Sequence, residues 1–284
     1  MIAEYQTNHV YFSEILKSNK AFATFINDFT GLLNTNNISY NFLPKTRDIQ
    51  VRDFMPVQTD NFKFVEYRFD PDYLQGEENR MYKSYPDIIC NTISLRTLKS
   101  DVLLDGGNII KSESAVILTD KVLIENEGVH SPKKLLKALT DYFNTDKIIL
   151  IPWDEKNDDY GHADRMLRFI NNDTVLIDSK FDHYSTQFKD KLYGALKVNG
   201  INTVQLQTGA ASKSPNKKLA YLNFLQTADI IVVPKYGNTF DEMIFEQFKH
   251  IFPDYAARNR IFQLDASALE IESALHSITW TIKK

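Results

Sequence analysis

The chain has 284 residues, 43% hydrophobic and 25% charged, a balance typical of a globular protein with a substantial core. A net charge of -4 and a pI near 5.9 disfavour nucleic acid as the main partner. The single cysteine, Cys90, excludes an intramolecular disulfide framework and a cysteine-based zinc site, and its apolar neighbours predict a buried structural thiol.

The sequence predicts no targeting or membrane-spanning segment. Residues 1–16 lack a basic stretch followed by an apolar one, and no run approaches the roughly 18 apolar residues of a membrane span. We therefore expect a cytoplasmic protein without a membrane partner. Because no Gly/Ser-rich or Pro-rich linker divides the chain, we also expect one domain over residues 1–284. The oligomeric state is not indicated by any pattern.

Units of a helix followed by a strand recur along the chain. In the first, apolar residues at helical spacing run from Phe22 to Leu33, and a strand is expected from Ile38 to Leu43. Four further units are predicted at 71–104, 131–151, 188–206 and 239–264, the first of these being less regular. Ser131-Pro132 is a helix-start signal, and residues 239–242 have the pattern of a capping box.

Additional strands are predicted between these units, at 62–68, 115–118, 174–177 and 230–233. The five units share an order of elements without sequence identity. This order indicates either a doubly wound sheet or a closed circular array.

Polar loops follow several of the predicted strands. The loop at 46–56 places Arg52-Asp53 between apolar neighbours, so at least one of these charges is expected to turn inward and need a partner. The loop Asp105-Gly106-Gly107-Asn108 carries paired glycines that permit a tight turn or a close approach to a ligand. Alone, each of these patterns is more typical of a solvated edge or an ordinary turn.

A third loop, at 158–169, places His162 and Asp164 two residues apart, so an extended backbone would point both side chains to one face. A histidine beside a carboxylate can move protons near neutral pH, although an isolated pair of this kind is more often incidental. The last strand leads to Leu275-His276-Ser277-Ile278-Thr279-Trp280. Polar groups at successive strand ends converge where repeated units share a rim, which predicts one site built from these loops.

Four motifs together resemble a known group of enzymes. R-D-F-M-P, L-D-G-G-N, G-H-A-D followed by R-F, and L-H-S-I-T-W stand in the order found in the guanidine-modifying (pentein) superfamily. The resemblance is to the branch that holds agmatine deiminase and the Porphyromonas-type peptidyl-arginine deiminases, and it covers almost the whole chain. It implies an α/β fold, a five-bladed α/β propeller with pseudo-fivefold symmetry, which agrees with the five units.

The resemblance also implies roles for individual residues. Asp53 and Asp164 would clamp a planar guanidinium through paired hydrogen bonds, and His162 would act first as general acid and then as general base. Asp105 and Asn108 would shape the pocket wall, and Arg168 would join the substrate-binding residues. The substrate would be agmatine, arginine or peptidyl arginine, and neither a metal nor another cofactor is implied.

The sequence departs from the family pattern at the nucleophile. Where relatives have a catalytic cysteine, this chain has Ser277, and a serine hydroxyl is a poor nucleophile without strong activation. Glu272-Ser273 stands in place of two glycines, Gln50 in place of a tryptophan, and Arg165 in place of a small residue. Ser277 is therefore either a natural loss or an engineered substitution.

Three hypotheses follow. The first is a deiminase-type hydrolase that is inactive with Ser277 in place, and the second is a non-catalytic relative that binds a guanidinium ligand or a protein partner. The third is metal-dependent hydrolysis by His162, Asp164 and Asp158, which has only one histidine and lacks a spacing such as H-E-x-x-H.

Overall fold

The structure, a computed structural model, describes residues 1–208, 219–269 and 274–284. Within these ranges the strands form five three-stranded sheets. In each sheet the middle strand pairs antiparallel with one neighbour and parallel with the other. The parallel neighbour follows the middle strand through one or two helices, and we call each such sheet with its helices a unit.

The elements are distributed over the units as follows. Unit 1 holds β1 (His9–Ser13), α1 (Glu14–Ser18), α2 (Ala23–Thr35), β2 (Ser39–Leu43) and the C-terminal β15 (Thr279–Ile282). Unit 2 holds α3 (Val51–Phe54), β3 (Val57–Asp60), β4 (Lys63–Arg68), α4 (Pro86–Thr92) and β5 (Leu98–Leu103). Unit 3 holds β6 (Ile110–Lys111), β7 (Ala115–Thr119), α5 (Lys121–Glu125), α6 (Pro132–Phe143) and β8 (Lys147–Ile151). Unit 4 holds β9 (Leu167–Phe169), β10 (Thr174–Asp178), α7 (Thr186–Val198) and β11 (Asn202–Leu206). Unit 5 holds β12 (Leu225–Gln226), β13 (Ile231–Lys235), α8 (Asp241–Ile251), α9 (Pro253–Ala257) and β14 (Ile261–Asp265).

The middle strands are buried on both faces, and successive side chains enter different hydrophobic clusters. In β7, Ile117 packs with residues of unit 4, whereas Val116 and Leu118 pack with residues of unit 2. In β13, Val232 packs against unit 1 while Ile231 and Val233 pack against unit 4. The two-residue period of a strand thus lets each unit contact both of its neighbours.

The packing closes into a ring. Among the described residues, the hydrophobic clusters join units 1 and 2, 2 and 3, 3 and 4, 4 and 5, and finally 5 and 1. The two ends of the chain meet in unit 1, where β15 pairs antiparallel with β1 in the register His9 to Ile282. The predicted five-unit α/β propeller with pseudo-fivefold symmetry is confirmed, and the alternative of a doubly wound sheet is wrong.

Most predicted elements have the expected bounds, with two kinds of exception. The capping-box interpretation of residues 239–242 is wrong, because α8 begins after Phe240 and its first turn receives no side-chain cap from Thr239. Instead Asn238 accepts a hydrogen bond from the backbone N–H of Phe240, at 2.7 Å. The short first strands of units 2 to 5, β1, the C-terminal strand and the short helices α1, α3, α5 and α9 were not predicted. Cys90 is buried in α4, as expected.

The helices of the described ranges include none that is both long and apolar enough to cross a membrane.

Candidate active site

The polar loops occupy the same place in every unit, directly before the strand that pairs antiparallel with the middle strand. Asp53 lies in α3 before β3, Asp105 begins the short turn of 3-10 helix before β6, and His162 begins the one before β9. Ser277 precedes β15, and Asn223 precedes β12. Because the five units form a ring, equivalent positions face the same axis, and this is why residues from distant parts of the chain meet.

His162 lies between two carboxylates from neighbouring units. Its Nε2 is 3.3 Å from Asp105 Oδ2, and its Nδ1 is 3.8 Å from Asp53 Oδ1. The Tyr73 hydroxyl donates to the same Asp105 oxygen, at 2.7 Å, which fixes that carboxylate against the histidine. The side chains of His162, Asp105 and Asp53 are buried, and that of Tyr73 is partly exposed.

The paired glycines are required by this arrangement. A Cβ on Gly107 would lie 2.5 Å from His162 Nδ1 and 2.6 Å from Asp53 Oδ1, and a Cβ on Gly106 would lie 2.0 Å from the carbonyl oxygen of Arg52. Real Cβ atoms do not approach other atoms so closely. The glycines therefore allow the Asp105 loop to pack directly against Asp53 and His162.

Asp164 is held from the opposite side. Its Oδ2 accepts from Asn223 Nδ2 at 3.0 Å and lies 2.6 Å from His276 Nδ1. Its Oδ1 is buried and has no hydrogen-bond partner among the described residues, and the same is true of Asp53 Oδ1. An unpaired buried carboxylate oxygen is costly, so two of them in one site indicate a missing donor such as a ligand N–H group.

The surroundings of Asp53 and Asp164 shift their pKa values in opposite directions. Burial raises the pKa of Asp53 to about 7, and the nearby Asp105 and Asp164 add to this, against an opposing effect of His162. Burial would also raise the pKa of Asp164, but the hydrogen bond and charge of His276 outweigh it and lower that pKa. For His162, Asp53 and Asp105 overcome burial and raise the pKa to about 9. At neutral pH Asp164 is therefore ionised and His162 is protonated, while Asp53 titrates near neutral pH.

Ser277 is connected to this group through Asn223. The Asn223 Oδ1 atom accepts from the backbone N–H of Ser277 at 3.0 Å and from its hydroxyl at 3.2 Å. An amide oxygen accepts a hydrogen bond but does not take up the proton at neutral pH. The observed partner of the Ser277 hydroxyl is thus not a general base.

Asn108 and Arg168 have different surroundings from those expected. Asn108 Oδ1 accepts from the backbone N–H of Thr119 at 2.7 Å, so this side chain ties its loop to β7. The Arg168 guanidinium is buried, pairs with Glu4, and donates to the carbonyl oxygens of Leu222 and Phe224 at 3.2 and 2.9 Å. These contacts link three segments beneath the site, and a part in substrate binding stays a prediction for both residues.

The other departures from the family pattern can be placed in part. Gln50 precedes α3, and the Arg165 guanidinium lies over the Tyr160 ring at 4.7 Å while donating to Asp158 Oδ1 at 3.0 Å. Glu272-Ser273 lies outside the described residues. The carboxylate of Asp158 also accepts from the backbone N–H of His162, at 2.8 Å, and so supports the loop. In the described part of the chain no group of His, Cys, Asp and Glu is arranged to hold a metal ion.

Sequence reasoning missed Asn223 and Glu4. Asn223 stands alone in Tyr221-Leu222-Asn223-Phe224 and has no motif spacing, but its place before β12 matches that of the other loops. That position is recognisable only once β12 is known, and this strand was not predicted. Glu4, near the N-terminus, contacts residues more than 160 positions away, and no local pattern indicates such contacts.

The chain matches the family model described as Porphyromonas-type peptidyl-arginine deiminase over residues 1–282. It is 25% identical over 189 residues to the agmatine deiminase of Pseudomonas syringae pv. tomato, which is 54% of this chain and 50% of that protein. The chain thus aligns with about half the length of the curated relatives it matches.

Two solved structures extend the likeness to the fold. A C. jejuni agmatine deiminase carrying a Cys-to-Ser replacement, with substrate bound, matches with a TM-score of 0.71 and 21% identity, covering 100% of this chain and 96% of that one. A Cys-to-Ser mutant of DDAH from Pseudomonas aeruginosa, complexed with citrulline, matches with a TM-score of 0.57 and 13% identity, covering 97% and 99%. The predicted relationship to the guanidine-modifying superfamily is confirmed, and this chain belongs to the family of Porphyromonas-type peptidyl-arginine deiminases.

Proposed function

We propose that the site is a deiminase-type site that binds the guanidinium group of agmatine, arginine or peptidyl arginine. The observation that carries this proposal is the pair of buried carboxylate oxygens, Asp53 Oδ1 and Asp164 Oδ1, that have no hydrogen-bond partner among the described residues. A guanidinium offers N–H donors in a planar fork that suits carboxylate acceptors.

The charges around the pair favour a cationic ligand. Asp53, Asp105 and Asp164 place three carboxylates near His162, the imidazole that both Asp53 and Asp105 approach. The Arg52 charge also attracts Asp164 and Asp53, but its direct contacts are with other groups, since its Nη1 pairs with Glu4 at 3.5 Å and its Nη2 donates to Thr281 Oγ1 at 3.4 Å. A ligand cation would supply the missing positive charge.

The chemistry of the family requires a nucleophile and a proton carrier. A thiolate at position 277 would attack the guanidinium carbon, and His162 would give a proton to the departing ammonia. Water, deprotonated by the same histidine, would then release the ureido product from the thiol. A pKa of about 9 keeps His162 protonated at neutral pH, which supports its proposed role as the proton donor.

With Ser277 in place we expect ligand binding without turnover. The Ser277 hydroxyl donates to the Asn223 amide oxygen, which does not activate it as a nucleophile. Bound ligand in the Cys-to-Ser variants of C. jejuni agmatine deiminase and P. aeruginosa DDAH supports the view that a serine-containing site of this fold still holds its ligand. The alternative is a non-catalytic guanidinium-binding or interaction protein. In that case a cysteine at position 277 would not restore turnover.

Calorimetric titration with agmatine, arginine and a blocked arginine peptide tests the binding role. We expect one of these ligands to bind, and Asp53→Asn and Asp164→Asn each to weaken binding by about tenfold or more, the loss of one charge-assisted hydrogen bond.

The matched control is Asp146→Asn, which removes an exposed carboxylate and should leave the affinity unchanged. If the folded Asp53→Asn and Asp164→Asn variants bind the ligand as tightly as the wild-type protein does, these two carboxylates do not hold the guanidinium.

A further inference from the structure

Glu4, in the N-terminal segment, lies among three basic side chains, those of Arg168, His276 and Arg52. Glu4 begins a short 3-10 helix, and its carboxylate is only 15% exposed. Its Oε2 pairs with Arg168 Nη2, and its Oε1 lies 2.5 Å from His276 Nε2 and 3.5 Å from Arg52 Nη1. Burial opposes ionisation, but Arg168, His276 and Arg52 together lower the pKa of Glu4 well below its usual range.

His276 connects this carboxylate to the clamp. The two ring nitrogens of His276 face Glu4 Oε1 and Asp164 Oδ2, at 2.5 and 2.6 Å, and the ring is completely buried. Each ring nitrogen therefore lies within hydrogen-bond distance of a carboxylate oxygen. The imidazole is thus fixed at both ends, and it cannot rotate without leaving one buried partner unsatisfied.

The orientation of Asp164 depends on this fixed ring. His276 and Asn223 both hold its Oδ2 atom, which leaves Oδ1 as the oxygen without a partner. Without its contact with Glu4, the His276 imidazole could turn. The Asp164 carboxylate would then lose the constraint that keeps its Oδ1 free for a ligand. Residues that contact a ligand-binding side chain without touching the ligand commonly orient that side chain.

We infer that Glu4 is a positioning residue for Asp164, acting through His276, and that guanidinium binding depends on this N-terminal carboxylate although it does not touch the ligand. The inference rests on the proposed function. A simpler role for Glu4 is to neutralise Arg168, Arg52 and the nearby Lys111, which would stabilise the fold without any specific effect on the clamp. The two roles differ in whether the effect of Glu4 passes through Asp164.

A double-mutant cycle separates them. Agmatine affinity is measured at pH 8 for the wild-type protein, Glu4→Gln, Asp164→Asn and the double variant. We expect Glu4→Gln to weaken binding by about tenfold in the wild-type background, which is about 1.4 kcal/mol. It should cause no further loss once Asp164→Asn has removed the oxygen that Glu4 positions.

Two controls complete the design. In the Asp53→Asn background the effect of Glu4→Gln should persist, because Glu4 and His276 do not contact Asp53. Glu127→Gln, which alters an exposed carboxylate, should have no effect in any background. If Glu4→Gln does not fold, Glu4→Asp keeps the charge but shortens the side chain, and we expect it to weaken binding in the same background-dependent way.

The outcomes are distinct. Unchanged affinity in the folded Glu4 variant, or an equal loss in the wild-type and Asp164→Asn backgrounds, would overturn the positioning role and leave the proposed function standing. A wild-type protein that binds no guanidine ligand would overturn both.

Discussion

At the scale of single residues, the site combines one carboxylate that is ionised at neutral pH with one that titrates near it. His276 lowers the pKa of Asp164, whereas burial and neighbouring carboxylates raise that of Asp53 to about 7. His162, between Asp53 and Asp105, has a pKa raised to about 9. Environments that push the pKa values of neighbouring groups apart are characteristic of acid-base sites.

These shifts predict a direction for the pH dependence of binding. Asp53 accepts hydrogen bonds from a guanidinium only after it has lost its proton, and His162 repels a cation until it has lost its own. The guanidinium itself stays charged over this range. Affinity for agmatine should therefore rise as the pH increases from about 6, through the Asp53 pKa, towards 9.

Calorimetry in buffers of constant ionic strength measures this dependence. In Asp53→Asn, the rise near pH 7 should disappear, and the second rise should move below pH 9, because the Asp53 charge helps to raise the pKa of His162. Affinity that is flat or falls with pH in the wild-type protein would contradict the assigned protonation states.

At the scale of elements, the loop that carries His162 is held by the first residue of α5. The Lys121 side chain is 2% exposed, and its Nζ donates to the carbonyl oxygens of Asp159 and Tyr160 at 3.2 and 3.1 Å. It also pairs with Asp72 at 2.9 Å and with Glu125 at 3.3 Å. Its stem packs against Gly161, where a Cβ would lie 2.4 Å from Lys121 Cδ and φ is +70°. Lys121 thus connects the fold of unit 3 to the position of His162.

Lys121→Met should destabilise the protein by about 3 kcal/mol, because it keeps the apolar stem but leaves buried Glu125 and two carbonyl groups without their partner. Urea unfolding measures the change. The control is Lys137→Met, which breaks a pair with Asp141 whose side chains are 75% and 62% exposed, and it should cost less than about 1 kcal/mol. Similar losses for the two variants would show that Lys121 has no special structural role.

The elements also show which parts of the fold the sequence could predict. The longer helices, the middle strands of units 2 to 5 and the third strand of every unit were predicted because amphipathic stripes and apolar runs mark them, whereas β1 and the short helices were not. The first strands β6 and β12 have only two residues each, too few to establish a period. Asp53, His162 and Asp164 were indicated by motifs, but Glu4 and Asn223 belong to the site only through ring closure. Contacts of that kind have no local signature.

At the scale of the whole molecule, the ring is completed where the C-terminal strand joins the N-terminal one. Trp280 in β15 is 2% exposed, contacts the rings of Tyr11 and Phe64 at centroid distances of 5.0 and 6.1 Å, and donates from Nε1 to the carbonyl oxygen of Pro56 at 2.7 Å. It therefore joins units 1 and 2 directly beside Ser277.

Trp280→Ala should cost about 3–5 kcal/mol of unfolding free energy, since it leaves a large cavity and an unpaired carbonyl group between two units. Chemical denaturation provides the measurement. Phe62→Ala removes an aromatic ring that is 96% exposed and should change stability by no more than about 0.5 kcal/mol. A small effect of Trp280→Ala would mean that the contact between the two chain ends contributes little to the stability of the ring.

The central claim is that the ring forms a guanidine-hydrolysing site that lacks only its nucleophile. Ammonia release by Ser277→Cys, assayed with agmatine, arginine and an arginine peptide, tests this claim most directly. A thiol at this position would lie close to the cationic substrate, which favours the thiolate. Ser277→Ala serves as the control that keeps the pocket and has no nucleophile.

We expect ammonia and a ureido product from Ser277→Cys with at least one of these substrates, and none from Ser277→Ala or the wild-type protein. A folded Ser277→Cys protein that binds a guanidine but releases no ammonia would contradict the claim, and the chain would then be a non-catalytic guanidinium-binding member of its family.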